Sequence, residues 1–213
     1  MTAASHLDHI TVTAANLQEG AAWVTQVLGV RPQAGGEHPR MGTHNLLMRL
    51  SERSFLEIIA INPAAAAPDR PRWFDLDRRP PNAPPSLATW VLRCEDIHAS
   101  AAASTEPLGP VQPMSRGHLN WFITIPTDGQ VPLDGIAPAL IAWQTAVHPA
   151  QHMPELGLGL LGFEIHHPDP ARVRQLLASL KLQTPVEVHA SLAGAAAQLR
   201  ARIMTPHGER VLG

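Results

Sequence analysis

Two side chains that could bind a metal ion occur in β-prone segments, His9 in LDHITV and Glu57 in SFLEIIAI. Imidazole nitrogen and carboxylate oxygen are ordinary ligands of Zn, Fe, Mn or Ni. A metal ion held by both would polarise a substrate oxygen or activate a bound water. A histidine that simply pairs with a carboxylate, without metal, is the commoner explanation of such residues, because a buried glutamate needs a partner in either case.

A second group of candidates lies in the glycine-rich segment GGEHPRMGTHN, residues 35–45. Its glycines would let the backbone approach a ligand closely, and we interpret the segment as a functional loop, with a simple hairpin turn as the alternative. His44 is predicted to be catalytic together with Glu57, and it is a candidate third metal ligand. The residues predicted to line the mouth of a substrate cleft are His38, Thr43, His44 and Asn45.

Three further side chains are predicted to bind the substrate: Trp121, Trp143 and Arg116. A guanidinium group matches the geometry of a substrate carboxylate, which favours this role for Arg116. The tryptophans lie in predicted strands and would face either the cleft or the core. The sequence has no tyrosine and a single lysine, Lys181, so phenol acid–base chemistry is excluded and Schiff-base catalysis is disfavoured.

The elements that would position these residues begin with a strand at Leu7 to Val12, in which His9 and Thr11 share one face. Asn16 and Glu19 form a capping-box pattern at the start of a helix that ends at Gly29. Strands at 45–50 and 54–61, and a further strand near 31–34, would complete a β-α-β-β-β module over residues 1–61.

Strand-then-helix patterns begin again at about residues 87 and 159, so the sequence predicts repeated modules. Proline-rich residues 62–86 form an extended connection that Trp73 and Phe74 hold in place. Residues 87–150 are expected to form a second, degenerate module, and residues 151–213 a third βαββ unit that completes the sheet. The predicted fold class is α+β, with curved mixed sheets and helices outside.

Composition limits the classes of partner. Of the 213 residues, 45% are hydrophobic and 16% charged, and the net charge is −2, which indicates a folded core and disfavours binding to nucleic acid or to an anionic membrane. No apolar stretch is long enough for a membrane span, and no secretory signal is recognised. A lone Cys94 is interpreted as structural, and with these features it predicts a cytoplasmic protein. No nucleotide cofactor is expected.

The segments LDHITVTAANLQEGAAWVTQVLGV and SFLEIIAI resemble the opening module of the vicinal oxygen chelate superfamily, which includes glyoxalases and extradiol dioxygenases. GGEHPRMGTHNLLMRL and PALIAWQTAVHP resemble the glyoxalase-like domain family within it. The resemblance implies that the first and fourth strands of each module supply one metal ligand apiece. His9 and Glu57 hold those positions in the first module, whereas Thr89 and Ala139 hold them in the second.

The resemblance therefore implies two functions that stay open at this point. One is a metal-dependent lyase, isomerase or dioxygenase acting on a small molecule, with His9 and Glu57 as ligands and a third ligand from His44 or from Glu164, His166 and His167. The other is a protein that binds or sequesters a small molecule without turnover, which the absence of ligands in the second module favours. A homodimer is a candidate assembly, since superfamily members often dimerise.

Overall fold

The computed structural model describes residues 4–213, which form twelve strands and four helices. The helices are α1 (Leu17–Leu28), α2 (Ile97–Ala103), α3 (Pro132–Gly135, a single irregular turn) and α4 (Pro170–Ser179). The strands are β1 (Ser5–Thr13), β2 (Gln33–His38), β3 (Thr43–Ser51), β4 (Ser54–Ile61), β5 (Ser86–Cys94), β6 (Val111–Arg116), β7 (Leu119–Thr124), β8 (Ala139–Trp143), β9 (Gly159–His167), β10 (Glu187–Ala190), β11 (Gln198–Thr205) and β12 (Gly208–Leu212). No helix in residues 4–213 is long and apolar enough to cross a membrane.

Eight strands form one mixed sheet in the order β2-β3-β4-β1-β5-β8-β7-β6. Its two halves, β1–β4 and β5–β8, meet where β1 pairs antiparallel with β5. In each half the last strand runs parallel to the first, β4 beside β1 and β8 beside β5. The predicted α+β class with curved mixed sheets is confirmed.

The sheet curls so far that its two edge strands, β2 and β6, come into contact. Arg40, just after β2, donates to the Pro113 carbonyl in β6 (2.7 Å) and to the Gln112 side chain (2.8 Å). Arg116 at the end of β6 donates to the Asn45 side chain in β3 (3.1 Å). Side chains on the inner face of this curl therefore converge from strands that are distant along the sheet.

The outer face of the sheet is covered by α1 and by a second sheet, β10-β9-β11-β12. Trp90 in β5 is fully buried there and its ring packs on Phe163 of β9, with centroids 5.0 Å apart. Residues 159–212 thus form a sheet of their own on the outer face, whereas the sequence predicted that this unit would complete the first sheet.

Local signals in the sequence explain where the helices begin. The side chain of Asn16 accepts from the Glu19 backbone N–H and caps α1, which ends at Gly29 with a left-handed φ of 73°. Asp96 caps α2 in the same way, and the strand expected to begin at about residue 87 ends before it, at Cys94. The strand expected near 31–34 begins at Gln33 and runs on through both glycines to His38.

The proline-rich connection enters the curl instead of only crossing the surface. Its Trp73 and Phe74 stack on each other with centroids 5.1 Å apart and pack with Ile59, Val91 and other apolar side chains of the inner face. Burial of two large aromatic rings contributes substantially to holding the two halves of the sheet around them.

Candidate functional site

His9 and Glu57 lie on the same inner face of the curled sheet. In the parallel pairing of β1 with β4, Thr11 stands opposite Glu57, and His9 lies two residues before Thr11 on the same face. His9 Nε2 and Glu57 Oε2 are 3.8 Å apart, and both side chains are almost fully buried. Two ligands that each lie about 2.1 Å from one ion can span this separation.

A β-bulge in β1 adds a third group to the inner face. The pairing of β1 with β5 shifts register between Leu7 and His9, so Asp8 is the extra residue of the bulge. Strict alternation would point Asp8 to the outer face, away from His9. Instead Asp8 Oδ1 lies 2.7 Å from His9 Nδ1.

Asp8 is fully buried and accepts hydrogen bonds from four side chains. One donor is His9, which is bound to Oδ1. The other three are bound to Oδ2: His148 Nε2 (2.9 Å), Trp143 Nε1 (3.0 Å) and Arg93 Nη1 (3.4 Å). Burial by itself would raise the pKa of the Asp8 carboxyl, but the hydrogen bonds from His148 and His9 and their charges outweigh it and hold the pKa well below its ordinary value. Asp8 is therefore an ionised carboxylate at neutral pH.

The ionised Asp8 fixes the orientation of the His9 ring. Because Asp8 only accepts, His9 Nδ1 carries a proton and donates it, which leaves Nε2 directed towards Glu57. Phe55 stacks on the imidazole with centroids 4.5 Å apart and an interplanar angle of 14°. The ring is thus held on its edge and on its face.

Glu57 is held by two neutral donors. Asn45 Nδ2 donates to Oε1 (2.5 Å) and Thr11 Oγ1 donates to Oε2 (3.2 Å). Arg116 reaches the same group indirectly, since it donates to the side-chain oxygen Oδ1 of Asn45, which also accepts from the Gly36 N–H (2.8 Å). Burial lowers the pKa of Arg116 and the charge of Glu57 opposes that shift, so a guanidinium and a carboxylate share this cleft.

His38 joins the cleft as a neutral imidazole. Its Nδ1 contacts Thr43 Oγ1 (3.2 Å) and its Nε2 lies 3.5 Å from Arg116 Nη1. Burial lowers the pKa of His38 to about 4; Glu57 opposes this shift and Arg116 adds to it. His38 and Thr43, both predicted from the sequence, therefore form one buried pair beside Arg116.

The lowered pKa of His38 predicts a stability that falls on acidification. The pKa of a histidine in an unfolded chain is near 6.5. At pH values between this pKa and the lower pKa of folded His38, the unfolded chain binds more protons, which stabilises it relative to the folded chain. We expect the free energy of unfolding to fall by about 2 kcal/mol from this residue between pH 7 and pH 5. Urea unfolding of the wild type and of His38→Gln at both pH values measures it, and an identical pH dependence in the two proteins would contradict the assignment.

Aromatic side chains form the walls of the cleft, whose empty volume is about 390 Å³ including its open mouth. Trp121 and Trp143 pair across β7 and β8 with ring centroids 5.3 Å apart, and both line the cleft with Phe55 and Trp73. The polar groups that converge between these rings are His9, His38, Asn45, Glu57 and Arg116.

His44 does not belong to this site. Its predicted catalytic role required a position in the cleft, and that predicted position is wrong. The antiparallel register sets Leu47 opposite Glu57 and His44 opposite Ala60, so His44 shares the outer face with Leu46 and Met48. The functional loop expected at 35–45 is also absent as a loop, because most of the segment lies in β2 and β3. Asn45 reaches the cleft as a strand residue.

The third unit cannot supply a ligand to His9 and Glu57. It packs on the outer face, where Glu164 and His166 contact each other (3.3 Å). His167 is buried next to Asp134, with His167 Nε2 3.1 Å from Asp134 Oδ2. The physical reason is that the first sheet lies between these residues and the cleft.

The two halves of the sheet can be aligned position by position. His9 lies seven residues before Asn16, the cap of α1, and Thr89 lies seven residues before Asp96, the cap of α2. Glu57 stands opposite the second residue after His9, and Ala139 stands opposite the second residue after Thr89. The second half thus carries Thr89 and Ala139 where the first carries a histidine and a glutamate.

This donor set fits a metal ion only in part. Among residues 4–213 no three histidine, cysteine, aspartate or glutamate side chains are grouped to hold one ion. Two donors, His9 Nε2 and Glu57 Oε2, do converge, and His9 has the carboxylate partner typical of a metal-binding histidine. The residues fit a two-ligand site completed by substrate and water, and they do not fit a centre with four protein ligands.

Comparison with known proteins extends these observations. A family model described as a glyoxalase-like domain matches residues 7–181. No curated protein sequence matches the chain. Among solved structures, a hypothetical protein from Staphylococcus aureus is similar over 91% of this chain and 88% of its own, with a TM-score of 0.63 and 10% sequence identity.

Two structures of known enzymes are also similar. A triple mutant of 4-hydroxymandelate synthase from Streptomyces coelicolor covers 100% of this chain, which spans 63% of that protein, with a TM-score of 0.51 and 16% identity. A variant of Streptomyces coelicolor methylmalonyl-CoA epimerase, in complex with 2-nitronate-propionyl-CoA, covers 70% of this chain and 100% of its own, with a TM-score of 0.46 and 13% identity. At these identities the likeness concerns the fold.

Proposed function

The chain belongs to the glyoxalase-like domain family of the vicinal oxygen chelate superfamily, and on that premise we propose that its inner cleft binds a small molecule bearing an oxyanion, with His9 and Glu57 as the reactive pair. The observation that carries this proposal is the convergence of His9 Nε2 and Glu57 Oε2 at 3.8 Å beside the half-buried Arg116. The reaction class would be that of a lyase, isomerase or dioxygenase.

His9 and Glu57 would hold a divalent ion (Zn, Fe, Mn or Ni), which when bound would act as a Lewis acid on a substrate oxygen. Asp8 keeps the proton of His9 on Nδ1, so that Nε2 stays available without rearrangement. Asn45 and Thr11 hold the Glu57 carboxylate in place. The tryptophan walls exclude water, which strengthens every charge interaction in the cleft.

Arg116 would bind the oxyanion of the ligand. It lies on the same inner face, and its guanidinium has donors beyond those used for Asn45 and His38. We expect Arg116→Ala to weaken binding of a carboxylate probe, benzoate, by at least about tenfold, in line with a charged hydrogen bond of about 1.5–3 kcal/mol. Calorimetric titration measures this loss, with Arg200→Ala on the second sheet as the control; equal affinities in both variants would contradict the assignment.

The second candidate function is ligand binding without turnover. Thr89 and Ala139, in place of two further ligands, favour it. The experiment that separates the two is a comparison of the metal content and benzoate affinity of the wild type with those of His9→Ala and Glu57→Gln. Loss of metal in both variants supports the reactive pair, whereas unchanged benzoate binding by a protein that takes up no metal after supplementation supports the binding function.

The modular division at residues 1–61, 62–86, 87–150 and 151–213, the cytoplasmic location and the homodimer also stay predictions. Size-exclusion chromatography with light scattering tests the last of them.

A further inference from the structure

His148 lies directly behind the reactive pair, although it comes from the second half of the sheet. It follows β8, at the end of the segment PALIAWQTAVHP, and precedes the short 3₁₀ turn Pro149–His152. Its side chain is 7% exposed, and its Nε2 lies 2.9 Å from Asp8 Oδ2. Asp8 binds His9 Nδ1 through its other oxygen (2.7 Å). A chain of three side chains therefore leads from His148 to the Nε2 atom of His9 that faces Glu57.

A backbone N–H fixes the position of the proton on His148. The Ala150 N–H donates to His148 Nδ1 (3.2 Å). A ring nitrogen that accepts a hydrogen bond carries no proton, so the proton of the neutral imidazole is on Nε2, where it is donated to Asp8. Asp8 accepts this bond on Oδ2 and the bond from His9 on Oδ1. The direction of every hydrogen bond from Ala150 to His9 is thus set.

His148 also supports the face of the His9 ring. The ring of His148 packs against Phe55 with centroids 6.1 Å apart, and Phe55 stacks on His9 at 4.5 Å. Ala150, in the turn that follows His148, is fully buried in one apolar cluster with Phe55. One segment of the second half therefore contacts both groups that orient His9, Asp8 at the ring edge and Phe55 at the ring face.

Of the three donors to Asp8 Oδ2, His148 is the nearest. The distance is 2.9 Å for His148 Nε2, 3.0 Å for Trp143 Nε1 and 3.4 Å for Arg93 Nη1. Arg93 Nη1 also donates to the Arg53 carbonyl (3.0 Å), so it is shared between two acceptors. Loss of the His148 donor would leave Oδ2 with the more distant contacts and would free the carboxylate to turn.

We propose that His148 is a positioning residue for the reactive pair, which acts through Asp8 and Phe55 to hold the His9 ring with Nδ1 protonated and Nε2 unprotonated. This inference rests on the proposed function, and it adds a residue of the second half to a pair that lies entirely in the first half. Without His148 the proton of His9 divides between the two ring nitrogens. An Nε2 atom that carries a proton cannot bind a metal ion.

His148→Gln and His148→Asn form a matched pair of variants that tests this role. The amide nitrogen of glutamine can take the place of Nε2 and donate to Asp8, whereas the shorter asparagine cannot reach it. In ¹⁵N-labelled, metal-free protein the ring nitrogens of His9 are assigned with His9→Ala. We expect a protonated Nδ1 and an unprotonated Nε2 in the wild type and in His148→Gln. In His148→Asn the two nitrogen chemical shifts are expected to move towards each other, because the two tautomers mix.

The Zn²⁺ affinity gives a second measurement of the same role. His148→Asn is expected to weaken Zn²⁺ binding about tenfold, the lower end of the effect of residues that support a metal ligand, and His148→Gln is expected to stay within about threefold of the wild type. His152→Gln changes an exposed histidine of the adjacent turn and is the control. It is expected to keep the wild-type tautomer of His9 and the wild-type affinity.

The two measurements separate this inference from the proposed function. A wild type that binds no Zn²⁺, but whose single His9 tautomer is lost in His148→Asn and kept in His148→Gln, would support the positioning role and overturn only the reactive pair. An unchanged His9 tautomer in His148→Asn would overturn the positioning role. A His148→Gln protein that is folded by urea unfolding and still mixes the tautomers would overturn it as well, even if His148→Asn does not fold.

Discussion

His9→Ala and Glu57→Gln are each expected to weaken Zn²⁺ binding by at least about 100-fold, since even residues that only support a metal ligand contribute about 10–100-fold. Each variant removes one of the two protein donors that converge at 3.8 Å. Isothermal titration calorimetry of metal-free protein with Zn²⁺ and with Mn²⁺, in a buffer that does not chelate, measures the effect.

Matched controls come from the outer side of the first sheet. His44→Ala removes a histidine from the outer face of β3, and Glu164→Gln removes a carboxylate of the second sheet. Both are expected to keep the wild-type Zn²⁺ affinity to within about twofold, because they lie outside the cleft. An equal loss of affinity in His9→Ala and His44→Ala would show that the histidines bind zinc nonspecifically.

Asp8→Asn is expected to destabilise the protein by about 3–5 kcal/mol at pH 7, the usual cost of breaking a buried ion-pair network by removing one partner. The substitution removes the negative charge, and one of the two acceptor oxygens, of the carboxylate that His9, His148, Trp143 and Arg93 share. It also places an amide N–H₂ against groups that themselves donate. Urea unfolding at pH 7 measures the change, and Asp96→Asn is the control because asparagine caps a helix as well as aspartate does.

The pH dependence of the Asp8 contribution has a defined sign. The folded pKa lies below the unfolded value of 3.8, so the stabilisation is complete above that value and is lost as the pH falls towards the folded pKa. The difference in unfolding free energy between the wild type and Asp8→Asn should therefore be constant from pH 7 to pH 5 and shrink below pH 4. A difference that does not shrink below pH 4 would contradict an ionised Asp8.

The first module could be predicted from the sequence because its signals are local. Alternation in β1 placed His9 and Thr11 together, the Asn16 cap fixed the start of α1, and LDHITV and SFLEIIAI indicated adjacent strands of one face. The same alternation, applied to β3, places His44 on the face opposite Asn45. The error was to assign His44 to the cleft, which required a loop where the backbone continues as a strand.

Asp8 and His148 could not be predicted as part of the site. Alternation assigns Asp8 to the outer face, and only the bulge, a property of the pairing with β5, turns it inward. His148 lies 140 residues from Asp8 in the sequence, and no local signal links them. The sequence hint was limited to an acidic residue next to the candidate ligand, in the dipeptide Asp8–His9.

Local sequence patterns also could not predict that the curled sheet brings its two edge strands into contact. Arg116 was a candidate from its type alone, and its position beside His38 and Asn45 follows from the contact between the edge strands β2 and β6. The third unit was misplaced for a related reason. Periodicity does not tell which face of an existing sheet a further unit will cover.

The most direct test of the reactive pair is X-ray absorption spectroscopy of the zinc-loaded protein. We predict nitrogen and oxygen ligands near 2.0–2.2 Å with the multiple-scattering signature of a single imidazole, which disappears in His9→Ala. A spectrum without imidazole scattering, or one whose imidazole signal persists unchanged in His9→Ala, would contradict the assignment of His9 and Glu57 as the reactive pair.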